Sequence, residues 1–256
     1  MDIPTELTQL LCSAQRVAAL TGAGISQESA LRTFRDAQTG LWAQYRPEDL
    51  ATPEAFCRDP KLVWDWYAMR RERVAQVEPN PGHYALAEMA RRVPHFTLIT
   101  QNVDGLHQKA VQTLKVSETF SVLPRIIELH GNISRVRCSA CGVRVEVRED
   151  DGKNVPCCVA CGAYLRPDVV WFGEQLPLEA LKAAVEAART CAVFFSIGTS
   201  GIVQPAASLA YAALNHGARL VEINLEPTPL TAKAHFTLHG KSGEILPALV
   251  KAVWPG

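Results

Sequence analysis

The chain has 256 residues and carries 26 Lys and Arg against 26 Asp and Glu, so its formal net charge is zero. Broad binding to nucleic acid or to a membrane surface needs a basic excess, so we expect neither partner. Hydrophobic residues make up 48% of the chain, which supports one large domain, or one domain with a smaller insert.

Targeting segments are not predicted. No apolar run approaches the ~20 residues of a membrane span. Residues 1–6, Met-Asp-Ile-Pro-Thr-Glu, lack the basic and apolar regions of a secretory signal. We therefore expect a cytoplasmic protein, and we expect it to be monomeric. The 8 cysteines are clustered, which indicates metal binding rather than disulfides.

The first predicted strand leads into a candidate nucleotide loop. A helix is predicted at residues 5–16, and the apolar run 17–20 is typical of a buried parallel strand. Residues 21–26, Thr-Gly-Ala-Gly-Ile-Ser, follow; in α/β proteins such a loop and the helix after it hold a pyrophosphate. Gln27 replaces the third glycine of the usual fingerprint. On these residues alone, a plain tight turn is an equal alternative.

The pattern from residue 41 to about 93 is helical. Asp59-Pro60 is a good helix start, and the helix is predicted to run over 62–77. Within it Tyr67 and Arg70 stand three apart and share a face. From periodicity alone, a surface Arg beside a half-buried Tyr is favoured over a binding pair. His83, which begins the next helix, is expected to cap or pack locally.

The second half alternates strands and helices. Further strands are predicted at 95–100, 126–129, 192–197 and 219–223, a strand with its loop at 165–174, and helices at 178–191, 205–215 and 244–253. This alternation predicts an α/β fold, a doubly wound parallel Rossmann-like sheet, with a smaller inserted lobe. Polar or small residues follow several strands, where open sheets bind ligands, at 101–104, 130–132, 198–200 and 224–226.

Two Cys-x-x-Cys pairs, each followed by Gly, predict one structural zinc bound by Cys138, Cys141, Cys158 and Cys161. Four thiolates leave no open position for water, so the metal is not expected to be catalytic. Disulfides would conflict with the missing export signal. The linker 142–156 is acidic on balance, which argues against a nucleic-acid ribbon. Cys157 is treated as spare.

Several of these motifs together resemble the sirtuins, the NAD-dependent protein lysine deacylases. They are Gly-Ala-Gly-Ile-Ser at 22–26, Thr-Phe-Arg at 33–35, Gln-Asn-x-Asp at 101–104 and Glu-Leu-His-Gly at 128–131, and the resemblance runs from about 17 to 249. The sequence departs from the family at 30–32, where Ala-Leu-Arg replaces Gly-Ile-Pro or similar. If residue 30 takes a positive φ, Ala30 adds strain of roughly 1 kcal/mol.

The resemblance implies that NAD is consumed as a co-substrate and that His130 is the general base. Asn102 and Asp104 would position the ribose, water and nicotinamide, and the product would be 2'-O-acyl-ADP-ribose. The NAD contacts implied in this way are Gly22, Ala23, Gly24, Ser26, Phe34, Arg35, Gln101, Asn102, Val103, Asp104, Gly198, Thr199, Ser200, Asn224, Leu225, Glu226 and Ser242.

One branch of the family removes acidic acyl groups and carries a Tyr-x-x-Arg pair after an Ala-Thr-Pro segment. Tyr67, Arg70 and Ala51 match that pattern. With this resemblance, a substrate-binding pair is favoured over the surface Arg beside a half-buried Tyr that periodicity alone favours. Val170 and Phe172 would line the acyl-lysine channel, and the strand at 165–174 would pair with the peptide. The expected substrates are succinyl-, malonyl- and acetyl-lysine in proteins.

The resemblance also implies three modules. We expect the NAD-binding domain at 1–40, 94–134 and 168–256, a helical module at 41–93 and a zinc ribbon at 135–167. The 111–124 segment is expected to be an exposed loop or helix extension. Three alternatives remain open: a plain deacetylase, a mono-ADP-ribosyltransferase, and a non-catalytic NAD-binding module.

Overall fold

The computed structural model describes residues 3–31, 45–117, 124–145 and 152–255. Phe34, Arg35 and residues 118–123 of the expected insertion lie outside these ranges. The helices are α1 (Thr5–Ser13), α2 (Ala23–Gln27), α3 (Pro47–Leu50), α4 (Pro53–Arg58), α5 (Pro60–Ala75), α6 (Pro81–Arg92), α7 (Leu106–Ser117), α8 (Leu178–Thr190), α9 (Ser208–Asn215) and α10 (Ser242–Val253). The strands are β1 (Arg16–Thr21), β2 (His95–Thr100), β3 (Arg125–Glu128), β4 (Gly131–Cys138), β5 (Arg144–Val145), β6 (Leu165–Val169), β7 (Val193–Ile197), β8 (Arg219–Asn224) and β9 (Phe236–His239).

The large sheet has six parallel strands in the order β3-β2-β1-β7-β8-β9. Both faces are buried, because alternate residues of β1 point into different cores: Val17 and Ala19 into one, Ala18 and Leu20 into the other. The strand order reverses between β1 and β7. In open α/β sheets, ligands bind in the crevice outside the carboxyl ends of the strands at such a point. The predicted Rossmann-like sheet is confirmed.

A small lobe is built on a second sheet, in which β4 pairs antiparallel with both β5 and β6. Its apolar interior forms two further clusters, to which α5 contributes Trp66 in one and Trp64 in the other. Asp59 caps α5 by accepting from the Leu62 backbone N–H at 2.9 Å, so the predicted start at Asp59-Pro60 is confirmed.

The differences from the predicted elements have local causes. The first helix ends at Ser13, because Ala14 is extended and Arg16 already belongs to β1. β9 was not predicted; it is a four-residue edge strand, only partly buried, with little periodicity to read. Among the described residues, every helix is too short or too polar to cross a bilayer.

Candidate active site

Two glycine loops meet at the switch point. Gly22 and Gly24 follow β1, and Gly198 follows β7. The Gly24 N–H donates to the Gly198 carbonyl at 2.8 Å. A Cβ added at Gly22 would lie 2.7 Å from the Gly198 oxygen, and a Cβ added at Gly24 would lie 2.7 Å from the Gly198 Cα. The close approach of the two loops therefore requires these glycines, and α2 starts directly at the crevice with Ala23 exposed.

A polar network fixes the loop after β2. The Asn102 side-chain amide donates to the Gly22 carbonyl and to Ser26 Oγ, each at 3.0 Å. The Ser26 hydroxyl donates to Asp104 Oδ2 at 2.7 Å. Because both amide hydrogens are used, the Asn102 amide oxygen is left as an acceptor. Burial raises the pKa of Asp104 above its ordinary value, while bonds from the Leu106 N–H and Ser26 lower it.

His130 follows β3 and lies mostly buried at the same edge. Its Nδ1 is 2.9 Å from the Gln101 carbonyl oxygen. A carbonyl only accepts, so Nδ1 carries the hydrogen and Nε2 holds the basic lone pair. Burial lowers the pKa of His130 below 6.5, and the bond to Gln101 raises it by less. The imidazole is therefore neutral at pH 7 and able to take a proton at Nε2.

The remaining described NAD-contact candidates lie along the carboxyl ends of β2, β7 and β8. Gln101 donates to Thr199 Oγ1 at 3.0 Å, and Asn224 donates to the Thr199 carbonyl at 2.9 Å. Ser200, Leu225 and Glu226 are exposed beside them, and Val103 is half-buried. The Ser242 hydroxyl donates to Glu28 Oε1 at 2.6 Å, while the contact expected of Ser242 is one through its backbone, which stays a prediction.

Ala30 ends the turn after α2 with φ of 60°, the only positive φ of a non-glycine residue in the described part of the chain. This is the conformation for which the departure from Gly-Ile-Pro predicts strain. The turn before Ala30 is held from two sides. Asn80 donates to the Ile25 carbonyl at 2.6 Å and to Ser29 Oγ at 2.9 Å, while Glu28 accepts from the N-terminus of α10.

The candidate acyl-lysine residues form a backbone ladder around His130. The Val170 N–H donates to the His130 carbonyl at 2.9 Å, and the Phe172 N–H donates to the Ala51 carbonyl at 2.9 Å. Ala51 is buried, whereas the Phe172 side chain is 51% exposed. The structure thus joins Val170 to the backbone of His130 and Phe172 to the backbone of Ala51.

Tyr67 contacts Trp171, between the two residues of this ladder, and Arg70 follows three residues later on α5. The Tyr67 hydroxyl accepts from Trp171 Nε1 at 3.0 Å, and burial raises the pKa of Tyr67 well above its ordinary value. The Arg70 guanidinium lies 5.0 Å from the centroid of the Trp66 ring. Burial lowers the pKa of Arg70, and the nearby Tyr67 raises it. The pair is therefore not the exposed face that periodicity favours.

Sequence reasoning missed the support behind Trp171. The Arg166 guanidinium stacks 3.3 Å from the Trp171 ring centroid and binds both oxygens of Glu174, at 2.6 and 2.8 Å. Glu174 Oε2 also accepts from the Trp171 N–H at 2.8 Å. Arg166 and Glu174 are eight residues apart on either side of Trp171, so no local sequence pattern predicts this pairing.

The four predicted cysteine ligands converge at the tip of the small lobe. Their Sγ atoms all lie within 4.8 Å of one another, with Cys138 to Cys161 at 3.4 Å and Cys141 to Cys158 at 3.8 Å. Four thiolates around a point about 2.3 Å from each fit one tetrahedral structural zinc. Cys157 is exposed and outside this group, as predicted.

Comparison with known proteins gives the family. The Sir2 family profile matches residues 22–205. The chain is 48% identical over 247 residues to NAD-dependent protein deacylase 2 of Pyrobaculum aerophilum, covering 96% of this chain and 94% of that protein.

Two solved structures are similar throughout. One is the complex of a Sir2 homologue with NAD: TM-score 0.88, 42% identity, 98% of this chain and 94% of that one covered. The other is a mutant Sir2 homologue with 2'-O-acetyl ADP ribose: TM-score 0.87, 43% identity, 98% and 96% covered. Because the profile match and these identities extend over most of the chain, the protein belongs to the Sir2 family, the sirtuins.

Proposed function

We propose that this protein is an NAD-dependent protein lysine deacylase that prefers acidic acyl groups. The deacylase part is supported by the family, by a relative of that name and by a related structure that holds NAD. It is also supported by the crevice at the switch point, where the glycine loops and the start of α2 can receive a pyrophosphate.

In the proposed reaction, the bond between nicotinamide and ribose breaks and the acyl oxygen bonds to the ribose carbon. His130 Nε2 takes the proton of a ribose hydroxyl, because His130 Nδ1–H is committed to the Gln101 carbonyl. The hydroxyl oxygen then attacks the acyl carbon, and water completes the release of lysine and 2'-O-acyl-ADP-ribose. The Asn102 amide oxygen, held by Gly22 and Ser26, orients a hydroxyl or a water.

The single observation that carries the acidic-acyl preference is the buried Tyr67, bonded to Trp171, with the half-buried Arg70 three residues further along α5. A carboxylate at the end of the acyl chain would offer the guanidinium a charge partner and the phenol an acceptor. The small side chain of Ala51 leaves room for the longer acyl group. Acetyl-lysine has no such carboxylate, so it would gain nothing from Arg70.

A panel of acyl-lysine peptides tests this proposal through NAD-dependent nicotinamide release. We expect kcat/KM for succinyl- or malonyl-lysine to exceed that for acetyl-lysine by roughly 100-fold, the value of a buried charge partner of several kcal/mol. Equal values would leave the deacylase and remove the acidic preference. Absence of NAD-dependent release on every peptide would reject the deacylase itself.

A plain deacetylase is the second candidate. It is favoured by the related structure that holds 2'-O-acetyl ADP ribose. On this candidate, Arg70 would stabilise the small lobe and its loss would reduce both activities alike. The three-module division, with modules at 41–93 and 135–167, stays part of the proposal.

A further inference from the structure

A buried carboxyl group lies close to the rim of the large sheet and takes no part in the proposed chemistry. Glu222, on β8, is 1% exposed, although it precedes Asn224 at the end of the strand by only two residues. The Thr231 hydroxyl donates to Glu222 Oε2 at 2.5 Å, and the Thr228 hydroxyl donates to Glu222 Oε1. Burying a carboxyl group is costly unless its oxygens are hydrogen-bonded, so these two hydroxyls offset that cost.

The same two hydroxyls close the turn that follows β8. The Thr228 N–H donates to Thr231 Oγ1 at 2.8 Å, and the Leu230 N–H donates to Thr228 Oγ1 at 3.0 Å. Each hydroxyl oxygen therefore accepts from the backbone and gives its hydrogen to Glu222. We call Glu222, Thr228 and Thr231 the carboxyl clamp, because they fasten the turn at 228–231 to β8.

The carboxyl clamp fixes one end of an exposed segment. Residues 225–227 join Asn224, the last residue of β8, to Thr228, and all three are exposed. At the other end of the segment, Asn224 donates to the Thr199 carbonyl at 2.9 Å. The two candidate NAD contacts in this segment, at 225 and 226, thus depend for their position on how its two ends are held.

The carboxyl clamp also lies against the loop that follows β7. A Cβ added at Gly201 would lie 3.5 Å from Thr228 Oγ1 and 3.5 Å from Leu230 Cγ, which are ordinary contact distances. Gly201 directly follows the candidate NAD contacts at 198–200. The clamp therefore sets the distance between two candidate NAD loops, the one after β7 and the one after β8.

The strand order indicates which end of the dinucleotide these two loops face. His130 follows β3, on one side of β1, whereas β7 and β8 lie on the other side. In the proposed function, the pyrophosphate lies at the loop after β1 and the reacting ribose lies at His130. The adenosine end of NAD then extends over β7 and β8, away from the reacting atoms.

We propose that Glu222 is a positioning residue for the adenosine end of NAD, acting through Thr228 and Thr231 on the segment at 225–227 and the loop at 198–201. This inference rests on the proposed function. The carboxyl clamp lies away from the reacting ribose, so its loss should weaken binding equally in the ground state and in the transition state. KM for NAD should then rise while kcat stays unchanged.

Two substitutions of Thr231 separate the effect of the hydroxyl from that of the side-chain shape. Thr231→Val removes the donor to Glu222 and keeps the shape, whereas Thr231→Ser keeps the hydroxyl. In the zinc-loaded full-length protein, we expect Thr231→Val to raise Kd for ADP-ribose, measured by titration calorimetry, and KM for NAD by roughly 10-fold, the scale of one lost hydrogen bond. Thr231→Ser should stay close to the wild type in both constants.

Glu222→Gln is the second variant, because it replaces one acceptor oxygen with an amide group at almost unchanged size. It should show the same split, with KM and Kd raised and kcat unchanged. Thr190→Val is the control. The Thr190 hydroxyl donates to the Glu186 carbonyl on the exposed side of α8, so its removal should change neither KM nor Kd.

An unchanged Kd for ADP-ribose in Glu222→Gln and Thr231→Val would overturn the positioning role, even if both variants melt at a lower temperature. A loss confined to kcat, or equal losses in Thr231→Val and Thr231→Ser, would overturn it as well. A wild type that binds ADP-ribose without nicotinamide release on any peptide would instead reject the proposed deacylase. The ADP-ribose titrations would still decide the role of Glu222.

Discussion

The rim of the large sheet and the interior of the small sheet both contain buried polar side chains, but they pair them differently. At the rim, polar side chains are held by neutral hydrogen bonds, such as Thr21 to Thr100 and Asn102 to Ser26. In the small sheet, Asp168 on β6 is buried among three arginines, with Arg144 at 2.8 Å and Arg135 at 3.2 Å.

The difference follows from what each region has to do. His130 must stay neutral and basic at pH 7. Nearby carboxylates would raise its pKa and nearby cations would lower it, so neutral hydrogen bonds suit this site better than ion pairs. The small lobe has a smaller apolar core, so thiolates and ion pairs supplement it. Glu128 connects the two regions: it accepts from Gln108 of α7 and Asn132 of β4, and it pairs with Arg135.

Removal of zinc should give the largest difference between the two regions, because within the described ranges the group of cysteines that can hold a metal lies in the small lobe. Binding of a structural zinc is worth roughly 10 kcal/mol of folding free energy or more. We expect a chelator to remove hydrogen-exchange protection from β4 and β6 while β1 and β7 stay protected. An unchanged melting temperature and unchanged protection after metal loss would contradict a structural site.

Arg70→Met should reduce desuccinylation far more than deacetylation, by several kcal/mol against well under one, because only the succinyl group loses a buried charge partner. The measurement is kcat/KM on matched peptides. Arg73→Met, on the exposed side of the same helix, is the control and should leave both values unchanged. Parallel losses on the two substrates would reject the assignment of Arg70.

As the pH falls, the stability contributed by His83, behind the rim, should be lost before that contributed by Glu174 in the small lobe. The pKa of His83 is about 4 when folded and near 6.5 when unfolded, so the unfolded state binds the proton first as pH falls. Stability is therefore full above about pH 6.5 and decreases by about 3 kcal/mol as the pH falls to about 4. Glu174 has a lowered pKa, so its contribution is lost only below about pH 4.5.

Urea unfolding at pH 7 and pH 5 measures this effect. The wild type should lose more stability between the two values than His83→Gln, which has no imidazole to protonate at that position. If the two proteins show the same pH dependence, His83 is not a buried neutral group.

Ala30→Gly is the smallest expected effect. A left-handed alanine costs about 1–2 kcal/mol, and the greater freedom of unfolded glycine returns part of the gain, so stability should rise by up to about 1 kcal/mol. Ala75→Gly, in the last turn of α5, should instead destabilise by about 0.5–1 kcal/mol. A destabilised Ala30→Gly protein, measured by thermal unfolding, would show that the positive φ is not strained.

The sequence predicted those parts of the molecule that depend on spacing. The cysteine pairs, the glycine loop and the strands β1, β2, β3, β7 and β8 each have a local pattern and were found close to the expected positions. The strand β4 was not predicted, and β6 ends at Val169 rather than 174. The protonation pattern could not be predicted, because the bonds from His107 to Thr21 and from His130 to Gln101 join residues 86 and 29 positions apart. The placement of the half-buried Arg70 against the Trp66 ring likewise depends on the packing of the small lobe rather than on helical period.

The central claim is that a neutral His130 at the switch point is the general base for acyl transfer to ADP-ribose, after nicotinamide has left NAD. The most direct measurement is nicotinamide release from NAD by the wild type and His130→Ala with a succinyl-lysine peptide, with desuccinylated product quantified in parallel. The account predicts that His130→Ala folds, binds NAD and forms desuccinylated peptide at least 100-fold more slowly, the usual loss for a general base. Desuccinylation by His130→Ala at the wild-type rate would contradict it.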